Sequence, residues 1–103
     1  MKSLLELLHL DLSVEHAFMI ERGRERRFTR HKNRNGPGGF VEDTANVPAN
    51  AHVGVHSKVV ERGVLSEHTV LEGYSLVYGH GKLPNGYFTD ITLAADIVPR
   101  RKW

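Results

Sequence analysis

An aliphatic residue returns every six positions through the middle of this chain. Val41, Val47, Val53, Val59, Leu65, Leu71, Val77 and Leu83 form the series. The residue four places after each of the first seven is small: Ala45, Ala51, Ser57, Gly63, Thr69, Ser75 and Gly81. With aliphatic residues at roughly one position in four, eight in step arise by chance about once in 10⁵ trials. An α-helix wants apolar residues three and four apart, and a strand wants unbroken alternation. Six residues instead make one short strand and one corner, so three such units close a triangular coil of eighteen. Stacked coils put Val41, Val59 and Val77 in one column, Val47, Leu65 and Leu83 in a second, and Val53 and Leu71 in a third. These eight residues are the expected core, and the small residues are expected at tight corners where a large side chain would clash.

The flanks read differently. Ser3 and Glu6 match a capping box, followed by Leu4, Leu5, Leu7 and Leu8, which suits a short N-terminal helix that must cover something to be stable. Residues 14–20 alternate, with Val14, His16, Phe18 and Ile20 on one face, and Arg24 to Arg30 suits a returning strand after a turn at Gly23. Residues 33–39 (Asn-Arg-Asn-Gly-Pro-Gly-Gly) are turn formers and mark an internal boundary. After Leu83, Asn85-Gly86 is a strong hairpin signal. Residues 87–98 then alternate, with Ile91, Leu93, Ala95 and Ile97 on one face, as a strand that leaves the coil or closes it. The expected organisation is 1–37 as helix and basic hairpin-like arm, 38–83 as β-helix, and 84–103 as C-terminal strand and basic tail.

At 103 residues the chain has room for one domain with a small core. It contains no Cys, which excludes disulfides and thiolate metal sites. No stretch reaches the ~20 apolar residues of a membrane span, and the leucine-rich start lacks the small-residue site of a signal peptide. The expectation is a virion or cytoplasmic location with no membrane partner. Net charge is only +2, but seven of the thirteen residues from Arg22 to Arg34 are basic: Arg22, Arg24, Arg26, Arg27, Arg30, Lys32 and Arg34. Arg100, Arg101 and Lys102 form a second basic group.

The pattern resembles the left-handed β-helix of the hexapeptide-repeat family. The hexads Val41-Glu42-Asp43-Thr44-Ala45-Asn46, Val53-Gly54-Val55-His56-Ser57-Lys58 and Leu71-Glu72-Gly73-Tyr74-Ser75-Leu76 fit the family's form. Pro48, Val60, Ser66 and Tyr78 depart from it at the tolerant second position. The resemblance covers residues 41–83 and implies an all-β fold, a short left-handed parallel β-helix of about two and a half coils. Handedness comes from the resemblance alone, since crossovers in ordinary sheets are right-handed in ~98% of cases. Gly38-Gly39-Phe40-Val41-Glu42, after a basic hairpin-like stretch, is similar to the lead-in of hexapeptide-repeat proteins of phages and prophages.

Many members of that family are trimeric acyltransferases with a catalytic His beside a long loop. Here His52, His56, His68 and His80 lie inside hexads, where the ordinary expectation is a solvent-facing residue. The coils are few and no long loop interrupts them. A zinc site of three His at a subunit interface is disfavoured as well. Tyr74 lies one coil from His56, and Arg62 one coil from His80, so imidazoles do not stack. No catalytic residue, metal or cofactor is expected. The basic stretch 22–34 would neutralise phosphates, but Phe28 is its one interleaved aromatic, so nucleic acid ranks below a protein surface as its partner. The sequence therefore points to a non-enzymatic structural protein. It is expected to be a homotrimeric spacer on a larger lattice, such as a phage capsid decoration (cement) or tail-associated protein, gripped through Arg22–Arg34 and Arg100–Lys102.

Overall fold

Parallel backbone pairing at an eighteen-residue interval organises the structure, a computed structural model that describes residues 15–94. The expected N-terminal helix, and Val14, Ala95, Ile97, Arg100, Arg101 and Lys102, lie outside the described residues. Among those residues the chain is all-β, with no helix, and its parallel strands stack as a β-solenoid of about three turns.

The described residues hold nine strands: β1 (His16–Glu21), β2 (Arg24–Asn33), β3 (Gly36–Glu42), β4 (His52–Val53), β5 (Lys58–Val59), β6 (Thr69–Glu72), β7 (Leu76–Val77), β8 (Gly86–Thr89) and β9 (Thr92–Leu93). One face of the prism is the parallel series β3-β5-β7-β9, with Val41 opposite Val59, Val59 opposite Val77 and Val77 opposite Leu93. A second face is β4-β6-β8, with Val53 opposite Leu71 and Leu71 opposite Phe88. The third face is thinner, a pair of parallel bridges joining Asn46, Val64 and Lys82.

The six-residue series lines the interior. Val53, Val59, Leu65, Leu71, Val77 and Leu83 are buried in one cluster with Ala51, and Val41 and Val47 pack against it half-buried at its upper end. The small column sits at the corners. The N–H groups of Ala45, Ala51, Ser57, Gly63, Thr69 and Gly81 each donate to the carbonyl three residues back, closing a β-turn. Size matters there because the side chain points into the prism. A Cβ on Gly63 would lie 2.8 Å from Val59 Cγ1 and 3.0 Å from Val77 Cγ1.

The hairpin extends the first face. β1 and β2 pair antiparallel around Arg22-Gly23, where φ is 52° and 76°, so both central residues are left-handed as a two-residue type I′ turn requires. β2 then pairs antiparallel with β3, so the six-stranded sheet runs β1-β2-β3-β5-β7-β9. The turn in the glycine-rich stretch is confined to Arg34 and Asn35; Gly36–Glu42 is strand, not loop. Gly38 and Gly39 are buried against the corner that joins the second face to the first. A Cβ on Gly39 would strike the Ser57 carbonyl, and one on Gly38 the Val53 carbonyl. The glycines thus serve close approach rather than a turn.

Asn85-Gly86 makes no hairpin. Gly86 has φ 143° while Asn85 stays out of the left-handed region, and β8 continues the solenoid by pairing parallel with β6. Leu83 is already committed to the ladder and β6 offers an open parallel edge, so the coil wins over the local turn preference. The Asn85 side chain instead accepts a hydrogen bond from the His68 N–H at 3.0 Å. The alternating stretch after it breaks at Asp90 (φ 54°) into β8 and β9, with Ile91 and Leu93 packed half-buried on the core. The chain therefore closes a further coil rather than leaving it.

A second apolar cluster lies outside the prism, on the outer face of the first sheet: Phe28, Phe40, Val60 and Leu76, with Ala17, Met19 and Tyr78 alongside. Lys58 stands between Phe40 and Leu76 in that column and is buried, with burial drawing its ammonium pKa below the ordinary lysine range.

Two outcomes follow from this packing. Gly39→Ala should destabilise the fold by about 1–3 kcal/mol in urea unfolding, because Ser57 backbone must move to admit the methyl group. Lys58→Met should stabilise it at neutral pH by on the order of 1 kcal/mol. A depressed lysine pKa means the unfolded chain holds more protons between the folded and ordinary values. Wild-type stability should therefore rise as pH climbs toward the ordinary lysine range, and the Met variant should lack that rise.

Candidate partner-binding surface

The basic stretch that sequence singles out as an arm is β2 with its two turns, and strand geometry divides its charges. Successive side chains leave opposite faces of a strand. Arg26 turns toward the outer apolar cluster and is 9% exposed. Its guanidinium forks onto Glu42, with Nε donating to Oε2 at 2.8 Å and Nη2 to Oε1 at 2.6 Å. Nη1 donates to Glu21 Oε1 at 2.9 Å, Glu61 Oε2 lies 3.6 Å from Nη2, and the plane sits 5.7 Å from the Phe28 ring centre. The carboxylates hold the guanidinium pKa above its ordinary value, chiefly through the Glu42 hydrogen bonds, with burial opposing them.

The network runs on into the coils. Glu42 Oε1 also accepts the Glu61 N–H at 2.6 Å, and Glu61 Oε1 accepts the Gly79 N–H at 2.7 Å. Glu61 itself has φ 58°. Each acid therefore satisfies a corner N–H in the next coil, and Arg26 ties the hairpin to the uppermost of them.

Arg30 is half-buried, and its Nε donates to the Gly38 carbonyl at 2.8 Å. The exposed cations are Arg22, Arg24, Arg27, Lys32 and Arg34. Arg22 and Arg24 lie at the hairpin tip. Arg27 stands on the solvent face of the hairpin beside Glu25, 3.1 Å away, in an exposed pair worth little. Lys32 and Arg34 lie at the far end of a ten-residue strand, on the order of 30 Å from the tip. The tip cations are also not alone. A polar cleft of about 460 Å³ there is lined by Glu21, Glu25, Glu42, Asp43 and Glu61 as well as by Arg22, Arg24, Arg26 and Arg62. The stretch that reads as one basic block is thus two separated pairs of cations and a lone Arg27, interleaved with acids.

The strand's other face does something sequence reasoning missed. Asn33 Nδ2 donates to the Val53 carbonyl at 2.8 Å, and Asn33 Oδ1 accepts the Val53 N–H at 2.9 Å. His31 Nε2 donates to the Ala51 carbonyl at 2.7 Å. One carboxamide stands in for a neighbouring peptide group at the upper edge of β4, and no composition signal separates this Asn from an ordinary turn former.

The four hexad histidines do not converge. His52 Nε2 meets Glu72 Oε2 at 2.5 Å, and His56 stacks on Tyr74 with ring centres 4.7 Å apart. His68 and His80 are exposed at other corners. Among the described residues no group of three or more His, Asp or Glu is placed to hold a metal ion. No helix of the described residues is long and apolar enough to cross a membrane.

Arg26→Ala should lower stability by about 3–5 kcal/mol, since it strands Glu42 without its counter-ion. Adding Glu42→Gln to that variant removes the stranded charge but keeps an acceptor for the Glu61 N–H, so it should recover part of the loss, and a double-mutant cycle read by urea unfolding measures the coupling. Charge reversal at Arg26 would thus report on folding, so the arm must be probed at its exposed cations. In comparisons with known proteins the chain matches no protein-family model, no curated protein and no solved structure.

Proposed function

We propose that this chain is a non-enzymatic structural and assembly protein. In this reading it is a left-handed β-helix of the hexapeptide-repeat kind, working as a homotrimer that spaces and fastens parts of a larger protein lattice. The most concrete form is a phage virion component, such as a capsid decoration or tail-associated protein. The observation that carries it is the rigid mounting of the arm. The hairpin is continuous with the first sheet of the prism and fixed to it by the Arg26–Glu42 fork. Arg22, Arg24 and Arg27 are therefore presented at a set position, which suits docking on a fixed acidic surface better than wrapping a flexible polyanion. The mixed charge of the tip cleft supports a protein partner over nucleic acid, because phosphate binding favours unopposed cations. An acyltransferase draws no comparable support: the hexad histidines lie apart, two of them engaged with Glu72 and Tyr74.

The test is charge reversal at Arg22, Arg24 and Arg27 together. The triple Glu variant should keep its circular dichroism spectrum and lose attachment to the assembled particle, read by co-sedimentation. Unchanged attachment would mean that the arm is only a solvated face. Light scattering at micromolar concentration should give a mass that is a multiple of three chains. Micromolar binding of an acyl-CoA would instead favour the enzyme.

A further inference from the structure

Among the described residues β1 is the free edge of the six-stranded sheet. The Arg30 N–H donates to the Glu15 carbonyl at 2.9 Å, which sets the phase of the β1–β2 ladder. Alternate residues of an antiparallel pair exchange both backbone bonds. Ala17, Met19 and Glu21 accordingly direct their backbone groups to β2, while His16, Phe18 and Ile20 direct theirs outward. The same three carry their side chains on the solvent face, where Phe18 is 65% and Ile20 63% exposed. Proteins blunt such edges with Lys, Pro or a bulge. His16–Glu21 contains no Lys, Arg or Pro, and its pairing with β2 is unbroken. The contrast with β4 is direct, for there Asn33 and His31 occupy the edge groups.

We propose that β1 is a docking edge for a second copy of this chain, paired antiparallel to the other copy's β1 about a dyad at Phe18. A two-fold axis normal to the sheet keeps the same face of both strands on the same side, so paired residue numbers share parity. With Phe18 on the dyad, Phe18 faces Phe18 and His16 faces Ile20, which engages every outward backbone group of the strand. Moving the dyad to Met19 would set His16 against the Arg22 cation. In the Phe18 register Glu15 meets Glu21, whose charge is already taken up by Arg26 at 2.9 Å. Four large apolar side chains are covered, a few hundred Å² in all. That falls short of the ~1,200 Å² of a standard stable interface, so the pairing is a weak, reversible one. It does not depend on the lattice reading above.

The chain has no cysteine, which permits a clean test in the full-length protein. Opposed Cα atoms in a hydrogen-bonded antiparallel pair lie about 5.5 Å apart, inside the disulfide range. Phe18→Cys should give a covalent dimer under mild oxidation. Ile20→Cys, whose counterpart is on the order of 13 Å along the strand, should give at least about tenfold less. Ile20→Lys should weaken self-association by at least about tenfold in sedimentation equilibrium, with the circular dichroism spectrum unchanged. Equal crosslinking at both positions, or none at Phe18, overturns the proposal, as does a mass that neither concentration nor Ile20→Lys alters. Capture of a foreign extended peptide without Phe18 crosslinking would assign the edge to another protein and equally overturn it. Failure of the trimer is read separately: the masses then step between one and two chains instead of three and six.

Discussion

Every coil of a solenoid has to pass its backbone N–H groups to the carbonyls of the coil beside it, and a stack about three turns tall has a large share of ends. An unpaired buried peptide group costs roughly 1–3 kcal/mol, so the ends and corners decide whether so short a stack stands. Much of this protein's polar chemistry answers that demand. Lys58, Val60 and Leu65 donate from one coil to Ser75, Val77 and Asn46 in the adjoining ones. Where backbone cannot reach backbone, side chains of a neighbouring coil do the work: Glu42, Glu61, Asn85 and Asp90 each accept a corner N–H, and Ser57, Ser66 and Thr69 donate to corner carbonyls.

The hairpin belongs to the same economy of backbone groups. β2 supplies the upper neighbour for β3, and its side chains supply one for β4. The Arg26 network holds it there with one guanidinium against three carboxylates. An arm fixed so firmly at its base changes what its charges can do. Arg26 and Arg30 serve the fold, and the exposed cations at the tip and at the far end of β2 address different parts of the surroundings.

The prism was legible in the sequence because its physics is periodic. All eight aliphatic positions belong to or pack on the core, and the small column marks the corners, since both follow from side-chain volume repeated at a fixed interval. Single events were not legible. Gly38 and Gly39 look like a turn, yet their lack of a Cβ serves contact with the Ser57 and Val53 carbonyls. Asn85-Gly86 looks like a hairpin because local preference says nothing about the open edge of β6. The arm's charge count was visible, but its division into buried and exposed members depends on strand phase and on Glu42, a residue whose second hexad position reads as tolerant.

The final coil adds a consequence of its own. Phe88 follows Leu71 by seventeen positions and Leu93 follows Val77 by sixteen, where the columns above keep eighteen. The perimeter narrows, so the stack tapers like a plug. Another coil of full girth laid beneath would overhang the one above it and fall out of step with its carbonyls. Residues removed from corners set the gauge at this end of the described prism.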